Sequence, residues 1–226
     1  MVTSHLVARS VDAVLFDFGG VFTASPFAAV EAYGATLGAE PARFLEITFG
    51  PYDADTDHPW HRLERGEITL LEAREEILEL GRSHDLEVDL FQILRAMGGG
   101  SGSFVRESMV DVVAELRSDG YQTALVTNNA AEFGQVWRPL LPLEELFDAV
   151  VDSSEVGMRK PDPRIYLHTL EQLGGLEPSR AVFLDDYPGN VEAARRLGMH
   201  GVVVADPADA ALAELRRILA APSIDR

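Results

Sequence analysis

Val11-Asp12-Ala13-Val14-Leu15-Phe16-Asp17-Phe18-Gly19-Gly20-Val21 is a largely apolar run that meets an aspartate and then two glycines. A short apolar run bounded by turn residues reads as a buried strand, so Asp17 falls at a strand's carboxyl end. Gln122 to Val126, Ala149 to Val151, Val182 to Leu184 and Gly201 to Ala205 read the same way, each with a turn signal after it. Amphipathic stretches lie between them. Val105, Met109, Val112, Val113 and Leu116 share one helical face, which Asp119-Gly120 ends. Asp162-Pro163 supplies an N-cap and a first-position proline ahead of Tyr166, Leu170 and Leu173. Asp206-Pro207 repeats the device ahead of Leu212, Leu215 and Leu219. Strands alternating with helices predict an α/β fold with a Rossmann-like, doubly wound parallel sheet.

Ligands of such sheets bind outside the carboxyl ends of the strands. Thr127-Asn128 follow the second run, Lys160 stands before Pro161-Asp162-Pro163, and Asp185-Asp186 end the fourth run with Asn190 close behind. A carboxylate, a hydroxyl-plus-amide pair, a lysine and an acidic pair are thus expected to converge.

Residues from about 25 to 103 break the rhythm. They read as helices without a convincing strand, and Thr69-Leu70-Leu71-Glu72 is a capping box opening a helix that carries Leu71, Ile77 and Leu78. The predicted organisation is a core of residues 1–24 and 104–226 with a helical cap, residues 25–103, inserted after the first strand. Gly98 to Ser103 closes the insertion, and its glycine density suits a flexible connection. A phosphate-cradling loop is the sharper alternative, but the run lacks the lysine and hydroxyl ending of a P-loop. No internal repeat is apparent.

Bulk properties narrow the function. At 226 residues one core plus an insertion is expected, and 46% apolar residues argue against disorder. No apolar stretch approaches the ~20 residues of a transmembrane helix, and the N-terminus lacks the pattern of a secretory leader. The expectation is a cytoplasmic monomer or homodimer. The absence of cysteine excludes disulfides, thiol nucleophiles and thiolate metal sites. A net charge of −18 speaks against nucleic acid and anionic membranes, whereas a small anion is still accessible where a divalent ion inverts the local sign.

Val14 to Pro26, Trp60 to Leu70, Leu125 to Asn129, Val156 to Tyr166 and Val182 to Met199 together carry a resemblance. The chain resembles the haloacid dehalogenase-like hydrolase superfamily, and within it the N-terminal phosphatase domain of bifunctional soluble epoxide hydrolases and their free-standing relatives. The likeness implies that Asp17 is a nucleophile forming an aspartyl-phosphate. It implies that Thr127 and Asn128 bind the phosphoryl oxygens and that Lys160 neutralises charge there. Mg²⁺ would be held by Asp17, the Gly19 carbonyl and Asp186, with Asp185 and Asn190 in support. The implied partner is a small-molecule phosphate ester.

One departure matters. Phosphatases of this family usually carry a second aspartate two residues after the nucleophile as general acid and base, and Gly19 occupies that place. Such a group is worth ~10²–10⁴-fold. A replacement residue, a good leaving group, a slow enzyme or a non-catalytic phospho-ligand binder are the readings this leaves, and His58 and His61 are the first candidates to supply the proton. Related dehalogenases also lack that aspartate, but the resemblance gives them an aromatic residue there and no Asp185-Asp186 pair. Asp53, Asp55, Asp57 and Glu64 have the spacing of a calcium loop, yet His58 stands where that loop needs glycine. The plainer reading of Asp57 to His61 is a loop with a packed tryptophan and surface histidines; the functional one is substrate selection.

Overall fold

A computed structural model describes residues 9–98 and 105–221. Strands β1 (Ala13–Phe16), β2 (Gln122–Thr127), β3 (Ala149–Asp152), β4 (Ala181–Asp185) and β5 (His200–Val203) form one parallel sheet, ordered β3-β2-β1-β4-β5. The expected doubly wound sheet is present. Its two faces follow from the strand period of two. Val14, Phe16, Leu125, Val182 and Leu184 enter one buried cluster, while Ala13, Leu15, Ala124, Val126 and Phe183 enter the opposite one.

Between β1 and α6 (Glu107–Ser118) the chain passes through α1 (Pro26–Thr36), α2 (Pro41–Phe49), α3 (Pro59–Glu64), α4 (Leu70–Arg82) and α5 (Leu90–Gly98). This helical block has its own core, centred on Val30, Phe44, Ile47, Phe49, Trp60, Leu63 and Ile77. The Thr69 capping box forms as expected, with the hydroxyl accepting from Glu72 N and the Glu72 carboxylate accepting from Thr69 N. Leu71, however, is 61% exposed, and α4 buries Ala73, Ile77 and Gly81 instead. Of the Gly98–Ser103 run, only the backbone of Gly98 is among the described residues.

Three one-turn helices follow β2 and β3: α7 (Gly134–Trp137), α8 (Leu143–Leu146) and α9 (Ser153–Val156). Helix α10 (Pro163–Gln172) starts as read from the sequence, with the Asp162 carboxylate accepting from Arg164 N at 2.9 Å. It packs with α11 (Pro188–Arg196) on one face of the sheet, and α6 and α12 (Asp209–Leu219) cover the other. The expected cap at Asp206-Pro207 is not made. Helix α12 begins at Asp209 behind Ala208, and the Asp206 carboxylate lies 3.6 Å from the Arg106 guanidinium instead. Among the described residues no helix is long and apolar enough to cross a membrane.

Candidate active site

From β1 the chain steps outward through β2 and β3, then returns to the far side of β1 at β4. Connections diverge between β1 and β4, and a crevice opens at their carboxyl ends. Pairing of Phe16 with Leu184 sets Asp17 beside Asp185, and Asp17 N donates to Leu184 O at 2.8 Å. The site is therefore a product of strand register.

Lys160 enters this crevice from the loop between α9 and α10. Its Nζ lies 2.6 Å from Asp17 Oδ1 and 2.7 Å from Asp185 Oδ2, and the residue is 1% exposed. Asn128 fixes the lysine backbone from both sides. Its Oδ1 accepts from Lys160 N at 2.8 Å, and its Nδ2 donates to Lys160 O at 2.9 Å. The Asn128 side-chain amide is committed to placing Lys160, while the residue also lines the cavity where a phosphoryl group was expected. Asp185 is likewise a positioning group, fully buried, accepting from Lys160 Nζ, from Tyr187 N at 2.7 Å and from Asn190 Nδ2 at 3.0 Å. Thr127 ends β2, buried, in the wall of the same cavity.

The two glycines after Asp17 differ in kind. Gly20 has φ +70°, and a Cβ there would sit 2.1 Å from Asp186 Cγ, so only glycine allows this approach. A Cβ on Gly19 would meet nothing nearer than Pro26 Cδ at 3.9 Å. The missing carboxylate at Gly19 is thus not imposed by space around its Cβ.

Electrostatics strain the cluster. Asp17, Asp185 and Asp186 each offer an oxygen within 4.8 Å of the others, against the single cation of Lys160. Burial pushes the Asp17 pKa up to about 8; Lys160 opposes that shift, and Asp185 and Asp186 add to it. Burial, reinforced by Asp185, pushes Asp186 up to about 6. Burial works against the Lys160 ammonium, but Asp17 and Asp185 hold its pKa above the usual lysine value. An excess of buried carboxylate is what a hard divalent cation relieves. Asn190 Oδ1, buried in the same wall without a hydrogen-bond partner among the described residues, adds an oxygen suited to such an ion's water shell. The residues fit Mg²⁺.

Asp17, Gly19, Thr127, Asn128, Lys160, Asp186 and Asn190 line one cavity of about 60 Å³, closed by Pro26, Phe27, Tyr52 and Tyr187. A second cavity of about 190 Å³ shares Pro26, Phe27, Tyr52 and Asn128 with it and is walled by Phe49, Trp60, Leu94 and Phe133. The polar room and the aromatic room adjoin. A larger open recess of about 810 Å³, bordered by Asp53, Asp162 and Glu192, contains none of the residues around Asp17.

Residues 11–198 match the family model described as haloacid dehalogenase-like hydrolase. The chain belongs to that family. It is 32% identical over 97% of its length to mouse (Mus musculus) acyl-CoA dehydrogenase family member 10, and 30% identical over 90% to rat (Rattus norvegicus) bifunctional epoxide hydrolase 2. It spans only 20% and 38% of those two proteins. It is also 30% identical to the sesquiterpene phosphatase astK of Aspergillus oryzae, across 92% of this chain and 96% of that one. Among solved structures, a predicted family hydrolase from Porphyromonas gingivalis superposes with TM-score 0.65 at 25% identity, over 92% and 98% of the two chains. A family enzyme from Bacteroides thetaiotaomicron, in complex with magnesium and inorganic phosphate, shares the fold at TM-score 0.57 and 24% identity, over 86% and 94%.

This hydrolase carries a second buried polar cluster that the sequence reading missed. Arg159, next to Lys160 and wholly buried, points away from the carboxylates of the sheet. Its Nε donates to Glu64 Oε2 at 2.6 Å, its Nη1 to Ala54 O at 3.1 Å, and Asp55 Oδ1 lies 3.8 Å from it. Glu64 Oε1 also accepts from Trp60 Nε1 at 2.8 Å. One signal was legible: Trp60 and Glu64 are four apart and so share a helical face.

These contacts dispose of the calcium spacing. Asp55 pairs with Arg65, Asp57 is an exposed side chain 3.9 Å from Arg62, and Glu64 belongs to Arg159, so the four carboxylates do not converge. The histidines are also corrected. His58 accepts from Trp60 N as the cap of α3, and His61 is fully buried rather than on the surface, with Nδ1 accepting from Thr56 N. Neither lines the cavity of Asp17.

Proposed function

We propose that this hydrolase is an Mg²⁺-dependent phosphatase acting on small phosphate monoesters through an aspartyl-phosphate on Asp17. One observation carries the reading: a buried lysine bridges Asp17 and Asp185 beside Asp186, at the strand switch point and facing a cavity. A lone binder of phosphate gains nothing from a carboxylate aimed at its ligand, whereas a nucleophile requires one.

Asp17 attacks phosphorus, the ester oxygen departs, and water then releases phosphate from the acyl phosphate. Lys160 neutralises the Asp17 carboxylate and the transferring group, and Asp185 with Asn128 holds the lysine still. Thr127 offers its hydroxyl to a phosphoryl oxygen. Asp17, the Gly19 carbonyl and Asp186 would hold Mg²⁺, with Asp185 and Asn190 around it; when bound, the ion supplies charge neutralisation for the dianionic ester. The relative complexed with magnesium and phosphate supports this assignment.

Core residues 1–24 and 104–226 would carry this chemistry, with residues 25–103 as a cap that excludes water. The aromatic room beside the site supports an apolar alcohol as the leaving group, and one relative is named a sesquiterpene phosphatase. The Asp185-Asp186 pair favours this reading over a dehalogenase, which has no dianionic ester to neutralise. Asp17→Asn should abolish Mg²⁺-dependent release of phosphate from p-nitrophenyl phosphate while melting near the wild type. A rate like the wild type's would sink the nucleophile assignment.

A further inference from the structure

In an in-line displacement the departing oxygen lies opposite the attacking one. With Asp17 on the sheet side of phosphorus, an ester oxygen opposite it would face away from the strand ends, and Pro26, Phe27 and Tyr52 of the helical block line the Asp17 cavity. Among the described residues, that lining has a single proton-bearing side chain from the block, Tyr52, which also lines the aromatic room and so stands where the two rooms join.

We propose that Tyr52 donates the leaving-group proton that a carboxylate at Gly19 would otherwise supply. The inference rests on the phosphatase reading above. The Tyr52 hydroxyl lies 3.5 Å from Glu64 Oε1, at the outer limit of a hydrogen bond. That oxygen already accepts from Trp60 Nε1 at 2.8 Å, and its twin from Arg159 Nε at 2.6 Å. The phenol proton is therefore free to turn toward a substrate. The ring is not free: the Arg159 guanidinium stands over it at 5.2 Å, and Phe27 and Tyr187 meet it edge-on at 5.0 and 4.9 Å. Burial, with Glu64 close by, keeps the hydroxyl protonated until it is used. Tyr187 is the other phenol in the Asp17 cavity, but it does not border the aromatic room, and the Thr127 hydroxyl lies at the end of β2 on the sheet side.

The proton balance closes over one turnover. As the phosphorus–oxygen ester bond breaks and the Asp17–phosphorus bond forms, the Tyr52 proton passes to the departing alkoxide, leaving alcohol and phenolate. Water then adds to phosphorus, the Asp17–phosphate bond breaks, and the surplus water proton returns to Tyr52. Hydrogen phosphate and the starting enzyme remain.

Comparing kcat/KM for hexyl phosphate and p-nitrophenyl phosphate tests this, because the nitrophenolate leaves without a proton. Tyr52→Phe keeps the ring and should lower the hexyl value by roughly 10²-fold or more while scarcely changing the aryl value. Gly19→Asp, for which the Cβ has room, should restore much of the hexyl activity to the Tyr52→Phe protein. Equal losses on both substrates would make Tyr52 a packing residue, and no loss on either would leave the proton with another donor; both overturn the proposal. The phosphatase reading fails separately, if the wild-type protein with Mg²⁺ hydrolyses neither ester faster than Asp17→Asn.

Discussion

Arg159 and Lys160 are neighbours in sequence, both buried cations, and they serve opposite halves of the molecule. Lys160 turns toward Asp17 and Asp185 at the strand ends; Arg159 turns toward Glu64, Asp55 and Tyr52 in the helical block. The lysine sits in a cluster with more carboxylate than one ammonium can balance, where a divalent ion has a place. The arginine is matched by Glu64 and a backbone carbonyl, with Nη2 alone unpartnered among the described residues. An over-charged cluster is poised for chemistry, whereas a matched one fastens two halves together. A planar guanidinium with several donors suits fastening, and a compact ammonium suits a site that must accept a changing partner.

Exchanging the two roles should produce the largest effects. Lys160→Ala should cost at least ~10²–10³-fold in kcat, because a preorganised cation facing developing charge is lost. Its melting temperature should fall less than that of Arg159→Ala, since carboxylates that lose a partner can take up protons. Arg159→Ala leaves Glu64 buried and unpaired, at a cost of about 3–5 kcal/mol of stability. Arg159→Met combined with Glu64→Leu should recover part of that loss, because an apolar pair replaces a broken ion pair. Urea titrations and steady-state rates on the same proteins decide it. Wild-type stability in Arg159→Ala would break the comparison.

The two clusters also differ in how much of each was legible. Apolar runs and caps located the sheet because strand burial and helix start signals are local. Asp17, Thr127, Lys160 and Asp186 could be read because they close strands or adjoin a proline-marked helix start. Arg159 and Glu64 could not, since their pairing spans 95 positions and depends on how α3 packs against the loop after α9. Asn128 and Asp185 were located, but their contacts to the Lys160 backbone and ammonium were not, because only tertiary geometry shows where a side chain bonds. The Asp206-Pro207 signal was also misplaced: the helix starts two residues later, behind Ala208, and the Asp206 carboxylate lies near Arg106.

Mg²⁺ sharpens the comparison through pH. Asp17 and Asp186 have folded-state values raised above 3.8, to about 8 and about 6. For a raised carboxyl the folded form binds the extra proton, so its stabilisation is complete below pH 3.8 and is lost as pH rises through the folded value. Between pH 6 and 8 the metal-free protein should therefore lose stability from this cluster, and Mg²⁺ should relieve it. Scanning calorimetry at both pH values, with and without Mg²⁺, should show the larger gain in melting temperature at pH 8. A gain independent of pH would place the ion away from Asp17 and Asp186.

The smallest expected effect has the opposite sign and belongs to the helical block. His61 is lowered to about 3 and His58 to about 4, in each case chiefly by burial, with Arg159 adding repulsion. A histidine with a depressed folded value is stabilising above its unfolded value near 6.5, and that stability is lost as pH falls toward the folded value. The unfolded chain binds the proton first, so acid pulls the equilibrium toward unfolding. Other carboxylates held low by partners, such as Asp89 beside Arg74, lean the same way, so absolute acid stability is not diagnostic. The slope is. His61→Gln removes one titrating group and should flatten the fall in urea midpoint between pH 7 and pH 5, even though losing the Thr56 contact makes the variant less stable at pH 7. Amide exchange at pH 5 should show α2 and α3 losing protection ahead of β1 and β4, because the protons are taken up on the Arg159 side. An unchanged slope in the variant, with sheet and helical block opening together, would mean that the histidines are bystanders and that the two clusters share one response to acid.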